Sequence, residues 1–219
     1  MAAVKVFGPP MSTAVARVLA CLYEKQAEFE LVRIDMSKGQ HKKPEYLAIQ
    51  PFGQVPAFQD ENVILLESRA ISRYIVDKYQ DQGTPGLLGS NFIERASIDQ
   101  WIEAEAQSFQ PPSGALVFQL FFAPLMGLKT DKVIIDQNQA KLEKVLDIYE
   151  KMLEENRFLA GDRFTLADLT HLPNCEYLVQ KTDRSGLILG RKNVRRWWEE
   201  ISSRPAWKKV VELQVAPPK

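Results

Sequence analysis

Hydrophobic and polar positions follow two different periods along this chain. Val4 to Phe7 alternates briefly and stops at Gly8-Pro9-Pro10, which predicts a short strand and then a turn. Val15, Val18, Leu19 and Leu22 recur at helical spacing, and Ser12 is placed to cap that helix. Phe29 to Ile34 reads as a second strand, so the first three elements make a βαβ unit with parallel strands. Lys38 to Lys43 predicts a polar loop and Pro44 to Ile49 a short helix. Pro56 to Gln59 and Val63 to Leu66 predict two short strands around the Asp60-Glu61-Asn62 turn, an antiparallel hairpin. Ser68 to Tyr79 predicts a helix with Ile71, Ile75 and Tyr79 on one stripe.

The order is therefore βαβ, helix, ββ, helix, a thioredoxin-like layout over residues 1–80. Residues 81–91 carry Gly83, Pro85, Gly86 and Gly89 and read as an interdomain linker. Residues 92–219 lack strand patterning and predict an all-α domain. Its long helices are expected over Glu94 to Phe109 and Asp131 to Glu155, the second with a stripe of Ile135, Leu142, Val145, Leu146, Tyr149 and Leu153. Thr165-Leu166-Ala167-Asp168 has the spacing of a capping box, with Phe164 ready to staple onto Leu169, and the helix running on from Leu166 should be the buried nucleus. Val194 to Ser203, with Trp197-Trp198, predicts one more helix, stopped at Arg204-Pro205. The fold class is α+β.

Composition narrows the function. Of 219 residues, 45% are hydrophobic, enough for a packed core. Lys and Arg number 28 and so do Asp and Glu, a balance that argues against a nucleic-acid or acidic-membrane partner. The longest apolar run, around Leu116 to Met126, is far short of a membrane span and contains Gln119 and Pro124. Pro9-Pro10 interrupt the first apolar residues, so no secretory leader is expected. Cys21 and Cys175 form neither a metal nor a redox spacing; no metal is expected, and a reducing, cytoplasmic setting is the simplest reading.

Three places can carry chemistry. Ser12 follows the first strand where thiol–disulfide enzymes of this layout place a Cys, and Met11-Ser12-Thr13-Ala14 brings no sulfur nucleophile. The hydroxyl can cap the helix, donate to a bound thiolate, or do both. Lowering a thiol pKa from about 8.5 to about 6.5 takes roughly 2.7 kcal/mol, and one charge-assisted hydrogen bond contributes roughly 1.5–3 kcal/mol. Pro51-Phe52-Gly53-Gln54-Val55-Pro56-Ala57 is the second place. Its Val-Pro step beside a strand can hold a cis peptide and offer backbone groups to a peptide-like ligand as an added strand does. Glu67-Ser68 is the third, opening a helix whose unpaired N–H groups suit a carboxylate. His41-Lys42 can serve a carboxylate or remain a solvated pair. Phe118, Phe121 and Phe122 with Leu125 and Met126 either pack a core or line an apolar pocket. Cys21 reads as an inert buried thiol and His171 as a structural core histidine.

Lys5-Val6-Phe7-Gly8 leading to Ser12, Gln40-His41-Lys42, Pro51 to Ala57, Glu67-Ser68-Arg69-Ala70-Ile71, and Phe158-Leu159-Ala160-Gly161-Asp162 running into Leu166-Ala167-Asp168 together resemble the cytosolic glutathione transferases, most closely the plant phi class. The resemblance covers essentially the whole chain. It implies a glutathione transferase that joins the glutathione thiolate to hydrophobic electrophiles, with peroxidase activity toward organic hydroperoxides and a role in detoxification. It implies that Ser12 stabilises the thiolate, that His41 and Lys42 meet the glycine carboxylate, and that Gln54 and the Val55 backbone bind the cysteinyl part. Glu67 and Ser68 would hold the γ-glutamyl end, while Met11, Phe118 and Phe122 would line an acceptor pocket between the domains. It further implies a homodimer, with Phe52 and Arg69 at its contacts, and no cofactor beyond glutathione as co-substrate. Gln50 stands where phi members commonly have Asn, and Thr13 follows Ser12 where members differ. A non-catalytic carrier of hydrophobic ligands is the rival from another class; intact Ser12, His41-Lys42 and Glu67-Ser68 weigh against a purely binding role.

Overall fold

A computed structural model describes residues 3–215. Strand β1 (Val4–Phe7), helix α1 (Thr13–Glu24), β2 (Phe29–Val32), a 3-10 turn over Gln40–Lys42, α2 (Pro44–Leu47), β3 (Ala57–Asp60), β4 (Val63–Leu65) and α3 (Ser68–Lys78) follow in that order. The sheet runs β2-β1-β3-β4. β1 pairs parallel with β2, Val4 opposite Phe29, and antiparallel with β3, Phe7 opposite Ala57. The hairpin turns at Glu61, whose positive φ of 52° takes the chain back into β4.

The chain folds as two compact units, one formed by residues up to Leu87 together with those from Pro205, the other by Leu88–Arg204. In the first unit, every residue of α1 from Val15 to Leu22 is at most 2% exposed. A helix with one apolar stripe buries one face; this one is covered all round. The sheet and α3 cover part of it, and the rest lies under α12 (Pro205–Val215), which brings Trp207 and Val210 against it. The sequence reading left 205–219 with the second domain because Pro205 reads as a stop, whereas here it opens a new helix, a position where its missing N–H costs nothing.

The segment read as a linker is tied down at its start. Lys25, 1% exposed, donates to the carbonyls of Gln80 (3.4 Å) and Thr84 (3.0 Å), and the Thr84 N–H donates to Glu24 O (2.8 Å). The boundary between units falls between Leu87 and Leu88.

The second unit contains α4 (Phe92–Ala104), α5 (Gln110–Val117), α6 (Ala123–Leu125), α7 (Lys132–Glu155), α8 (Leu166–Leu169), α9 (Leu172–Gln180), α10 (Ser185–Leu189) and α11 (Lys192–Ser202). Between α4 and α6 the helix widens twice into π turns, Glu105–Phe109 and Phe118–Phe122, closed by i→i−5 bonds from Gln110 to Glu105 and from Ala123 to Phe118. Each π turn comes just before prolines, Pro111-Pro112 and Pro124, which have no N–H to return to the turn before them. The helix expected to run on from Leu166 breaks after Leu169. Pro173 cannot donate to the Leu169 carbonyl, while Thr170 Oγ1 (3.1 Å) and His171 Nδ1 (2.8 Å) both reach Ala167 O. The core gathers Trp101, Phe109, Tyr149, His171 and Trp197, with Phe109 and His171 ring centroids 4.7 Å apart. Tyr149 Oη lies 3.0 Å from His171 Nε2, which confirms the structural reading of that histidine.

Candidate functional site

The site is built at the end of β1. Phe7 is locked between Ala57 and Val32, and Gly8 follows with φ +147°. A Cβ on Gly8 would stand 2.5 Å from Val15 Cγ2 and 3.1 Å from Val55 Cβ. Glycine is therefore what lets the strand end, the first turn of α1 and the Val55 segment meet. Ser12 is the α1 N-cap with extended backbone, and its Oγ accepts from Val15 N at 3.4 Å. That uses one acceptor lone pair of the hydroxyl; no described group takes its proton, so the O–H can donate elsewhere.

Two contacts set the direction of α3. Arg17 Nη1 donates to Ser68 Oγ at 2.8 Å, and Cys21 Sγ lies 3.5 Å from Ser72 O. Both partners advance together along the two helices, so α1 and α3 run parallel and their N-termini share one end. Each end presents unpaired N–H groups and roughly half a positive charge. Glu67, at the start of α3, holds φ +63° and ψ 106°, where a side chain costs about 1–3 kcal/mol. Strain of this kind persists where the surroundings fix the backbone, and here it sets Glu67 exposed beside the buried Ser68. Ser68 is only 4% exposed and its oxygen accepts from Arg17 with one lone pair, so its O–H can still donate.

Val55-Pro56 is a cis peptide. The Gln54 carbonyl accepts from Tyr46 Oη (2.7 Å), its N–H donates to Gln50 Oε1 (3.3 Å), and its side chain is exposed. Tyr46 and Gln50 are 5% and 2% exposed, and burial pushes the Tyr46 phenol up to about 12, so it stays a donor at neutral pH. Lys42 Nζ reaches Phe52 O at 3.3 Å and lies over Gly53, where a Cβ would meet its Cδ and Nζ at 2.8 Å. His41 Nδ1 is buried with no hydrogen-bond partner among the described residues. The fold thus brings Ser12, Val55 and Ser68 to one end of the sheet. Lys42, and His41 beside it, sit against the loop that leads into Gln54.

Met11 lies half-buried ahead of α1 in the first unit. Phe118 and Phe122 lie in the second π turn of the other unit, Phe118 exposed and Phe122 half-buried, with Phe122 5.2 Å from the Tyr177 ring. Burial pushes the Cys21 and Cys175 thiols far up, as expected for inert cysteines. Sequence reasoning missed Arg17, Tyr46 and Gln50. Arg17 had a signal, a charge inside an apolar helical run; the two others, in a short polar segment, had none.

A thioredoxin-like unit whose first helix is capped by Ser12, followed by a helical unit, is the architecture this site sits in. Residues 2–77 match the family described as Glutathione S-transferase, N-terminal domain, and residues 110–205 match Glutathione S-transferase, C-terminal domain. Glutathione S-transferase F11 of Arabidopsis thaliana is 48% identical over 210 residues, covering 96% of this chain and 98% of that protein. The crystal structure of glutathione transferase F2 from Populus trichocarpa aligns with a TM-score of 0.95 and 64% identity, covering 96% of this chain and 98% of that one. Glutathione S-transferase I from maize, solved in complex with an atrazine glutathione conjugate, aligns with a TM-score of 0.90 and 37% identity over 99% of this chain and 100% of its own. The chain belongs to the glutathione S-transferase family, within its plant phi class. No helix among the described residues is long and apolar enough to cross a membrane.

Proposed function

We propose that the protein joins glutathione to hydrophobic electrophiles and reduces organic hydroperoxides with the same thiolate. Ser12 Oγ donates to the sulfur and, with the N-terminal N–H groups of α1, favours the thiolate over the thiol. The Val55 backbone pairs with the cysteinyl part and the Gln54 side chain lies beside it. Lys42 and His41 hold the glycine carboxylate. Glu67 and Ser68, at the N-terminus of α3, hold the γ-glutamyl end. Met11, Phe118 and Phe122 contact the apolar acceptor. In conjugation the thiolate attacks an electrophilic carbon and the leaving group departs as an anion. With a hydroperoxide it attacks the outer peroxide oxygen, the O–O bond breaks, the alkoxide takes a proton from water and leaves as the alcohol, and a second glutathione converts the glutathione sulfenic acid into the disulfide and water. Glutathione is a co-substrate, no further cofactor takes part, and the protein works in the cytoplasm as a homodimer that covers the exposed Phe52 ring.

The observation that carries this reading is the meeting of the α1 and α3 N-termini with Val55 around Ser12, whose hydroxyl proton no described group accepts. Glutathione-dependent turnover of a chloronitrobenzene and of cumene hydroperoxide, by wild type and by Ser12→Ala, tests it. Loss of one preorganised donor should slow both reactions by roughly 10²-fold. An unchanged rate in the variant would remove Ser12 from the chemistry. Absence of wild-type turnover, with glutathione still bound, would favour a carrier.

A further inference from the structure

Gln54 and Val55 share one peptide plane. In a planar trans peptide the carbonyl of one residue and the N–H of the next point in opposite directions. The Gln54 carbonyl is drawn to Tyr46 Oη at 2.7 Å, behind the loop. The Val55 N–H therefore faces the other way, and no described group accepts from it. The phenol that holds this carbonyl comes from a side chain 5% exposed that cannot swing away. Gln50 acts on a different plane: its Oε1 accepts the Gln54 N–H, which belongs to the Gly53–Gln54 peptide.

We propose that Tyr46 is a positioning residue for glutathione. It fixes the Gln54–Val55 peptide so that the Val55 N–H is aimed at the cysteinyl carbonyl of the bound tripeptide. It never touches the ligand. This rests on the glutathione site described above and adds to it the residue that sets the direction of its central backbone donor. Removing the hydroxyl frees the plane to rotate, and the ligand must then pay its ordering on binding.

The test is Tyr46→Phe, which deletes one oxygen and keeps the ring. Glutathione affinity by calorimetry, KM for glutathione, KM for the electrophile, kcat and the ultraviolet absorbance titration of the bound thiol are all measured. The expected result is a rise in Kd and KM for glutathione of about tenfold, equivalent to about 1.4 kcal/mol. The kcat, the electrophile KM and the pH at which the bound thiol ionises should stay at wild-type values, because Ser12 is untouched. Gln50→Leu is the matching control. It loosens the same loop without releasing the Val55 plane, so it should lower Tm while holding glutathione Kd within about threefold. A glutathione analogue whose cysteinyl carbonyl is reduced to methylene should bind wild type and Tyr46→Phe alike. Wild-type glutathione affinity in Tyr46→Phe, or an equal loss in Gln50→Leu, overturns the proposal. If wild type itself binds no glutathione, the site reading falls and the proposal with it; if wild type binds and only the Tyr46→Phe effect is missing, the proposal alone falls.

Discussion

Asp168→Ala should be among the most damaging single changes in the second unit. The Asp168 side chain has no exposure. Its Oδ1 accepts from Leu159 N (3.0 Å) and Trp197 Nε1 (2.9 Å), and its Oδ2 from Thr165 N (3.0 Å) and Thr165 Oγ1 (3.2 Å). One carboxylate thus joins the Phe158–Gly161 turn, the start of α8 and the middle of α11. Removing it orphans three donors that cannot turn away, since only the Thr165 hydroxyl can rotate. At roughly 1–3 kcal/mol for each orphaned donor the loss is about 3–6 kcal/mol, after some relief from no longer burying a charge. For a chain of this size that lowers Tm by about 6–24 °C. Burial is the largest influence on the carboxyl and raises its pKa above the usual carboxylate range, even though four hydrogen bonds pull it down. The folded state therefore holds the proton more tightly than the unfolded chain. The advantage of wild type over Asp168→Ala should be fullest below about pH 4 and should shrink as pH rises through the folded-state value. Urea unfolding of both proteins from pH 3.5 to 7.5 measures it. A loss below about 1 kcal/mol at every pH would refute the reasoning, and an advantage that grows with pH would refute its electrostatic half.

Gly83→Ala should destabilise the first unit by about 2 kcal/mol or more, because the residue has φ +58° and a Cβ would stand 2.1 Å from Glu24 O and 2.7 Å from the Lys25 backbone; thermal unfolding reads it, and a Tm within a degree of wild type would show that the segment can lift off α1. Cys21 and Cys175, both buried with thiol pKa values raised by burial, should stay unmodified by a thiol-specific disulfide reagent in native buffer up to pH 9 and react fully once unfolded. Labelling of either in the folded protein would contradict their placement.

What was legible in the sequence was what local chemistry decides. Ser12 could be recognised as a cap because hydroxyls are favoured where helix N–H groups are unpaired, and the capping box because its two partners are three residues apart. Both form as expected. The parallel β1–β2 pair and the β3–β4 hairpin form as read, while the antiparallel β1–β3 pairing that joins them has no local signal. What failed turned on long-range packing and on side-chain contacts that periodicity does not carry. The full burial of α1 depends on a helix that begins about 180 residues later in the chain. The break between α8 and α9 depends on Thr170 and His171 competing for the Ala167 carbonyl as well as on Pro173. The roles of Tyr46 and Gln50 could not be read from a polar loop, because their meaning lies in which peptide plane each one holds. Glu67-Ser68 was legible as a helix start, but Arg17's claim on the Ser68 oxygen was not.

The return of α12 to α1 has a consequence for how the protein is made. The four strands and α1 are made by Leu65, yet the face of α1 that receives α12 stays bare until Pro205–Val215 has emerged. During synthesis an unfinished sheet unit waits, apolar side outward, while the whole helical unit is produced. A nascent chain stalled before Pro205 would be a target for chaperones, and the sheet unit reaches its final packing only once α12 has been made.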